Sequence, residues 1–217
     1  MSIFFEVTRE CYNAESGERI ESENSATLET PNSMFTISPK NIFTVIGCES
    51  YLYLTFYVND RSGFCVWASL CTSLDVVRSG NCSGIGCAGK QISYSPQNMT
   101  LEAHSFSNDN YTRGFNNCSY AFVVEENQFN FSRDYITNFP QQKLPLALDW
   151  PITYDACVKG QGQPFCPCGG NATRHDLEDG SGYYCLWKKG FQGNPYLPHG
   201  CQATHKILPL RFFFFSL

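Results

Sequence analysis

Cysteine is the residue type in this sequence with the clearest chemistry. Zinc sites usually combine two C-x-x-C pairs, or one such pair with H-x-x-x-H. Neither combination occurs here, and the four histidines do not lie at ligand spacing from a cysteine pair. Disulfides persist in oxidising compartments, so the cysteines indicate a secreted-type, disulfide-bonded chain. The 12 cysteines are Cys11, Cys48, Cys65, Cys71, Cys82, Cys87, Cys118, Cys157, Cys166, Cys168, Cys185 and Cys201.

Asparagine in Asn-x-Ser/Thr sequons is the second chemical signal. These sequons accept N-glycans in the secretory pathway and place their asparagines on the surface. The middle residue of the first and fourth sequon is a cysteine, so disulfide formation there competes with glycan transfer. The six candidate glycosylation sites are Asn81, Asn98, Asn110, Asn117, Asn130 and Asn171.

No residue pattern indicates catalysis. The sequence lacks a G-x-S-x-G elbow, an H-E-x-x-H helix and the kinase signatures. A cysteine nucleophile needs an unpaired thiol with a histidine nearby, and the sequence identifies no such pair. The acidic run from His175 to Asp179 lacks the ligand spacing of a calcium loop and is interpreted as a solvated loop. The chain is therefore predicted not to be an enzyme, with no catalytic residue, bound cofactor or metal site.

One glycine motif, Gly84-Ile-Gly86-Cys-Ala-Gly89, fits the dinucleotide-binding pattern G-x-G-x-x-G. That site needs the glycines between a strand and a helix. Here they lie between cysteines, and residues 90–96 do not form a helical pattern. The glycines are interpreted as permitting tight, disulfide-linked turns.

Charge disfavours a nucleic-acid partner. The net charge is −5, the pI is about 5.3 and only 16% of residues are charged. Phosphate binding needs a basic surface. The one local basic pair is Lys188-Lys189, with Arg174 and His175 nearby in sequence.

The two ends of the sequence are unlike those of a complete secreted or membrane protein. The first residues contain too short an apolar run for a visible signal peptide. The terminal apolar run, Phe212 to Phe215, falls far short of the roughly 20 residues of a membrane span. We therefore expect a fragment or an incomplete gene model.

The elements that must position these residues are predicted to be strands. Residues 34–37, 42–45 and 51–58 alternate or are rich in β-branched and aromatic residues, and 51–58 suits a central or half-buried strand. Residues 91–106 and 119–131 also form strand patterns, the latter a hairpin around residues 125–127. Residues 64–90 are predicted to be disulfide-linked loops. Ser132 is predicted to cap a short helix over 133–138. Residues 140–151 are predicted to form an extended connector.

A boundary is predicted near residues 151–156, where cysteine and glycine become dominant and hydrophobic periodicity ends. Beyond it, an aromatic pair precedes Cys185, and Gly-Phe-x-Gly precedes a closing Cys201. This arrangement resembles the second half of an EGF-like module.

The tract Gly190-Phe-Gln-Gly-Asn-Pro-Tyr196 resembles plant wall-associated receptor kinases specifically. Four upstream segments match the ectodomain of that family in order, so the resemblance covers about residues 3–202. They are Val45-Ile-Gly-Cys48, Asn81-Cys-Ser-Gly-Ile-Gly-Cys87, Asn117-Cys-Ser-Tyr-Ala-Phe-Val123 and Leu146-Ala-Leu-Asp-Trp150.

The resemblance implies an all-β chain with a disulfide-rich galacturonan-binding domain over 1–150, its N-terminal part missing. A degraded EGF-like module over 157–201 and an aberrant tail over 202–217 would follow. Implied partners are cell-wall pectin and oligogalacturonides at the outer face of the plasma membrane. Because the chain and the galacturonan are both acidic, either a local basic patch binds the ligand or calcium bridges the two. The parent protein would carry the membrane span and the kinase. Alternatives are a secreted or non-functional interaction module without ligand, and a small extracellular enzyme or inhibitor.

The same resemblance implies a cysteine pattern. The position after Cys87 holds Ala88 where the family has a cysteine, and Arg174 and Trp187 replace two EGF cysteines. Cys168 would still pair with Cys185, whereas Cys201 and either Cys157 or Cys166 would lose their partners. Cys11 is also expected to lack a partner. The disulfide candidates are Cys48, Cys65, Cys71, Cys82, Cys87, Cys118, Cys168 and Cys185; the ligand-binding residues are not identified.

Overall fold

A computed structural model describes residues 1–20, 23–30, 35–58, 61–106, 112, 114–150, 152–153, 168–177, 182–197 and 199–203. The chain divides into two compact units, Met1–Pro151 and Ile152–Leu217. Both consist of antiparallel strands, and four disulfides join described cysteines. The prediction of an all-β, disulfide-rich chain is confirmed.

The described residues of the first unit form three sheets from eleven strands. Their orders are β3-β9-β6-β7, β2-β10-β5-β8 and β1-β11-β4. The strands are β1 (Ser2–Glu6), β2 (Thr8–Cys11), β3 (Ser25–Glu29), β4 (Thr36–Ile37), β5 (Asn41–Ile46), β6 (Ser50–Val58), β7 (Arg61–Ser69), β8 (Cys87–Gln91), β9 (Asn98–Ser105), β10 (Cys118–Glu125) and β11 (Lys143–Asp149).

Strand β6 shows why the sequence forms the sheet β3-β9-β6-β7. Side chains alternate between the two faces of a strand. Leu52 and Leu54 are fully buried, whereas Tyr51 and Tyr53, which alternate with them, face outward. Strand β6 pairs with β7 on one side and β9 on the other, so the predicted central strand over 51–58 is confirmed.

The main core lies between the inner face of that sheet and strands of the other two sheets. It includes Leu54 and Leu101 from β6 and β9, Val45 from β5, and Leu146 from β11, all fully buried. Burying such a side chain stabilises the fold by roughly 1.5–3 kcal/mol. The extended connector predicted over 140–151 is therefore wrong in part. Residues 143–149 form strand β11 of the sheet β1-β11-β4, because their alternate leucines are buried.

Strand β10 is buried on both faces. Ala121 and Val123 face the main core, whereas Phe122 and Val124 face a second core. Loop aromatics cover this second core: the Phe122 ring stacks on Phe139 with centroids 5.3 Å apart. It also makes an edge contact with Phe129 at 4.9 Å. The predicted hairpin over 119–131 is wrong in its second arm, because Phe129 and Phe131 pack onto β10 instead of pairing with it.

Two further expectations are corrected or refined. Residues 64–90 are not all loop, because β7 pairs with β6 along nine residues and its alternate, inward residues are half-buried. The predicted helix after Ser132 is a single 3₁₀ turn, Arg133–Ile136. The Ser132 hydroxyl accepts a hydrogen bond from the Asp134 amide, as an N-cap does.

In the second unit, the part of the chain that the structure describes forms two small sheets, ordered β12-β14-β13 and β15-β16. Tyr183 is its largest buried side chain, and the Arg174 guanidinium lies 4.2 Å from the centre of that ring. The residues predicted as a tail lie outside the described part from 204 onward. The strands are β12 (Ile152–Thr153), β13 (Ala172–Asp176), β14 (Gly182–Trp187), β15 (Phe191–Gly193) and β16 (Cys201–Ala203).

Replacing Cys11 and Cys118 by alanine is expected to lower the free energy of unfolding by about 4–5 kcal/mol, because their bond restricts a long loop in the unfolded chain. The two cysteines are 107 residues apart in sequence. The matched control removes the Cys82–Cys87 bond, whose separation is only 5; its loss should cost about 2 kcal/mol. Urea denaturation of the oxidised proteins measures both, and equal losses would contradict this explanation.

Candidate functional site

The disulfides connect the loops around the second core to the strands. Cys48 pairs with Cys71, and Cys82 pairs with Cys87. Cys118 pairs with Cys11, its directly opposed residue across β10 and β2. The expectation that Cys11 lacks a partner is therefore wrong, because strand register rather than sequence spacing brings it to Cys118.

Among the described cysteines, Cys65 and Cys201 are unpaired. Cys65 was predicted to be a disulfide candidate, and the structure corrects this. Cys65 is on β7, directly opposite Leu54 of β6. It packs against the main core, where it acts as a small apolar side chain. In the second unit Cys168 pairs with Cys185, and Cys201 is buried. Cys157 and Cys166 lie outside the described residues.

The described sequon asparagines differ in exposure. Asn81, Asn130 and Asn171 are exposed, whereas Asn98 and Asn117 are half-buried. Asn110 lies outside the described residues. Asn98 belongs to strand β9, whereas Asn130 lies in the loop after β10.

The other sequence motifs form turns or exposed strands. The glycine motif ends in strand β8, Cys87–Gln91, and not in a helix. Gly86 has a φ of +76°, and a Cβ on it would lie 2.7 Å from the Val77 side chain, so this turn requires glycine. Arg174 forms an ion pair with Asp176 in the acidic run, and Lys188 and Lys189 are exposed.

A cleft with a volume of about 340 Å³ opens beside the second core. Strand register builds it, because Arg9 on β2 lies directly opposite Tyr120 on β10. The loop that leads into β11 forms its other wall, through two glutamine amides and Lys143. Its lining residues are Glu6, Val7, Arg9, Glu23, Tyr120, Phe139, Pro140, Gln141, Gln142 and Lys143. Sequence reasoning missed this cleft, since its members come from four separate segments: residues 6–9, 23, 120 and 139–143.

The cleft combines cations with a polar aromatic ring. Burial raises the pKa of the Tyr120 hydroxyl, an effect that a hydrogen bond from the Phe139 backbone and the nearby Arg9 charge oppose. Lys143 forms an exposed ion pair with Glu6 at 3.2 Å, which contributes little stability and can rearrange. Arg9 is exposed, and within the described part of the chain its guanidinium has no carboxylate partner within 4 Å.

This arrangement suits an anionic polyhydroxyl ligand. An arginine presents paired N–H donors that match a carboxylate. Glutamine amides and a tyrosine hydroxyl donate to or accept from neutral hydroxyl groups. Among the described residues, no cluster of three His, Cys, Asp or Glu side chains could hold a metal ion. None of the described helices is long and apolar enough to cross a membrane.

Comparison with known proteins shows that the chain is similar to wall-associated receptor kinases of plants. The chain is 36% identical to wall-associated receptor kinase 2 of Arabidopsis thaliana over 77% of the chain and 22% of that protein. It is 36% identical to wall-associated receptor kinase 5 over 75% of the chain. It is 31% identical to wall-associated receptor kinase 3 over 96% of the chain and 29% of that protein. No family model matches the chain, and no solved structure matches it.

Cys65 is expected to react with a thiol reagent in the folded protein more slowly than free cysteine does. Burial raises the pKa of this thiol, so less thiolate is present at neutral pH, and the rate should increase as the pH rises towards that pKa. Buried Cys201 should react only after unfolding. Mass spectrometry of labelled peptides measures both, with Cys65→Ser as the control. A bond that joins either cysteine to another would contradict the assignment.

Proposed function

The chain is a homologue of the extracellular part of the plant wall-associated receptor kinases, and we propose that it binds pectin in the cleft beside Tyr120. It spans 22–29% of the length of the curated relatives that it matches. The names of these relatives associate them with the cell wall. The proposed ligand is therefore galacturonan, the carboxylate-bearing polysaccharide of pectin, and the proposed location is the outer face of the plasma membrane.

The single observation that carries this proposal is the exposed Arg9 guanidinium beside the Tyr120 hydroxyl, which has no carboxylate within 4 Å among the described residues. A galacturonate unit carries one carboxylate and several hydroxyl groups on one ring. The guanidinium binds the carboxylate through two parallel hydrogen bonds, and Gln141 and Gln142 contact the hydroxyl groups.

The acidic character of the whole chain does not prevent anion binding at this site. The net charge of −5 is spread over 217 residues. Charges separated by more than about 10 Å are largely screened at 0.1 M salt, so the nearest side chains dominate. Arg9 and Lys143 are the two cations in the cleft, and Lys143 is available when its exposed pair with Glu6 opens.

Calcium provides a second way to hold the same ligand. Glu6 and Glu23 also line the cleft, and both side chains are exposed. A calcium ion prefers carboxylate and hydroxyl oxygens, so it could join a protein carboxylate to a galacturonate carboxylate. Under this alternative a chelator abolishes binding, whereas under the direct mode it does not.

Replacing Arg9 by glutamine is expected to weaken binding of a defined oligogalacturonide about tenfold at low salt, because a charged hydrogen bond contributes roughly 1.5–3 kcal/mol. Arg9→Lys should give an intermediate loss, since lysine keeps the charge but not the paired donors. Arg61→Gln is the matched control: Arg61 is exposed at the start of β7 and lies outside the cleft lining.

Isothermal titration of the 217-residue chain at low and high salt, with and without chelator, measures these effects. Affinity should fall with salt in the unmodified protein and fall less in Arg9→Gln. An equal loss in Arg61→Gln would show a diffuse charge effect and contradict the cleft. Absence of binding by the unmodified chain would contradict the function and favour an interaction module without this ligand.

A further inference from the structure

The outer face of the sheet β3-β9-β6-β7 is open to solvent and carries aromatic side chains. The inner face is buried in the main core, so alternate residues of all four strands face outward. Phe64 is 69% exposed and Tyr57 is 49% exposed. Exposed aromatic side chains in one patch usually indicate a surface that something covers.

A glycosylation sequon lies on the same face. Asn98 and Thr100 are two residues apart on β9, so both side chains point outward. Asn98 is directly opposite Tyr57 on β6 and Glu29 on β3. Directly opposed residues have Cβ atoms about 5 Å apart, and diagonal neighbours are about 7–8 Å apart. Phe64 is diagonal to Tyr57, since it stands opposite Thr55.

The Asn98 amide is available for attachment. Its side chain makes no hydrogen bond to another described residue, although it is half-buried beside its strand neighbours. The Thr100 hydroxyl, which the sequon requires, is bound at 3.1 Å to the Thr27 hydroxyl on the same face. The sequon is thus in regular strand, and a sugar attached to it starts within reach of the Tyr57 ring.

We propose that an N-glycan on Asn98 packs its first sugars over Tyr57 and Phe64 and covers this face of the domain. Attachment forms a bond between the asparagine Nδ2 and C1 of N-acetylglucosamine. The bond from C1 to the diphosphate of the lipid-linked oligosaccharide donor breaks, and the amide proton leaves with the diphosphate. The secretory pathway supplies this donor.

The chemistry of the face matches a neutral sugar. The C–H groups on one side of a pyranose ring carry partial positive charge and are attracted to the negative face of an aromatic ring. Glu29, also on the outer face, accepts hydrogen bonds from neutral sugar hydroxyl groups but repels an anionic galacturonan, whereas the Glu102 carboxylate is paired with His104 at 2.8 Å. The outward side chains of these four strands include no lysine or arginine.

The chain contains a matched control sequon. Asn130 is exposed in the loop after β10, and its neighbours Phe129 and Phe131 pack towards the second core instead of forming an exposed aromatic face. A glycan at Asn130 is therefore expected to extend into solvent. Removing it should change stability much less than removing the glycan at Asn98.

The test uses the full chain secreted by a glycosylating host, with site occupancy measured by mass spectrometry. Asn98→Gln should lower the midpoint of thermal unfolding by about 3 °C, whereas Asn130→Gln should change it by less than about 1 °C. Tyr57→Ser should lower the midpoint in the glycosylated protein but have little effect in Asn98→Gln, because the sugar is the partner of the ring.

A second measurement uses the unmodified protein, so it does not require any variant to fold. Endoglycosidase trimming of the folded protein to one N-acetylglucosamine should keep most of the stabilisation, since the first sugar contacts Tyr57. An empty Asn98 in protein occupied at Asn130, or additive effects of Asn98→Gln and Tyr57→Ser, would overturn the proposal. So would dimerisation of the untreated protein through this face, detected by sedimentation. None of these outcomes depends on pectin binding.

Discussion

The structure of the first unit depends on the burial of strand β10 on both faces. Six of its residues, Ser119–Val124, are buried, and they divide between the main core and the second core. A sheet whose strands are apolar on both faces must be covered on both sides. The sheet β3-β9-β6-β7 covers one side of β10, and aromatic loop residues cover the other. Because the second cover is not a sheet, disulfides at Cys48–Cys71 and Cys82–Cys87 restrain it.

The same strand also determines the candidate site. Its antiparallel pairing with β2 brings Cys118 to Cys11 and Tyr120 to Arg9 in one register. A slip of one residue would move the side chains of β2 to the opposite face. Arg9 would then leave the cleft, and Thr8, whose hydroxyl donates to the Ala121 carbonyl, would lose its buried contact. The register that aligns the disulfide therefore also places the cation beside the aromatic ring.

The first unit presents two surfaces of different chemistry to solvent. The cleft beside Tyr120 offers a guanidinium, an ammonium and amide groups, which suit an acidic saccharide. The outer face of β3-β9-β6-β7 offers aromatic rings and carboxylates, which suit a neutral one. The positions of the positive side chains explain the difference, because a chain with only 16% charged residues depends on the local placement of each cation.

The sequence alone determined the all-β class, the disulfide-rich character and the family. Alternation along residues 51–58, twelve dispersed cysteines and the ordered ectodomain motifs are local signals, readable without knowledge of contacts. The tertiary structure decided which cysteines pair, since Cys11 meets Cys118 across 107 residues while Cys65 faces a leucine. It also packed the aromatic residues of segment 129–131 against β10 and assembled the cleft from four segments. These outcomes arise from long-range register and packing, and no local pattern encodes which distant strand a residue will face.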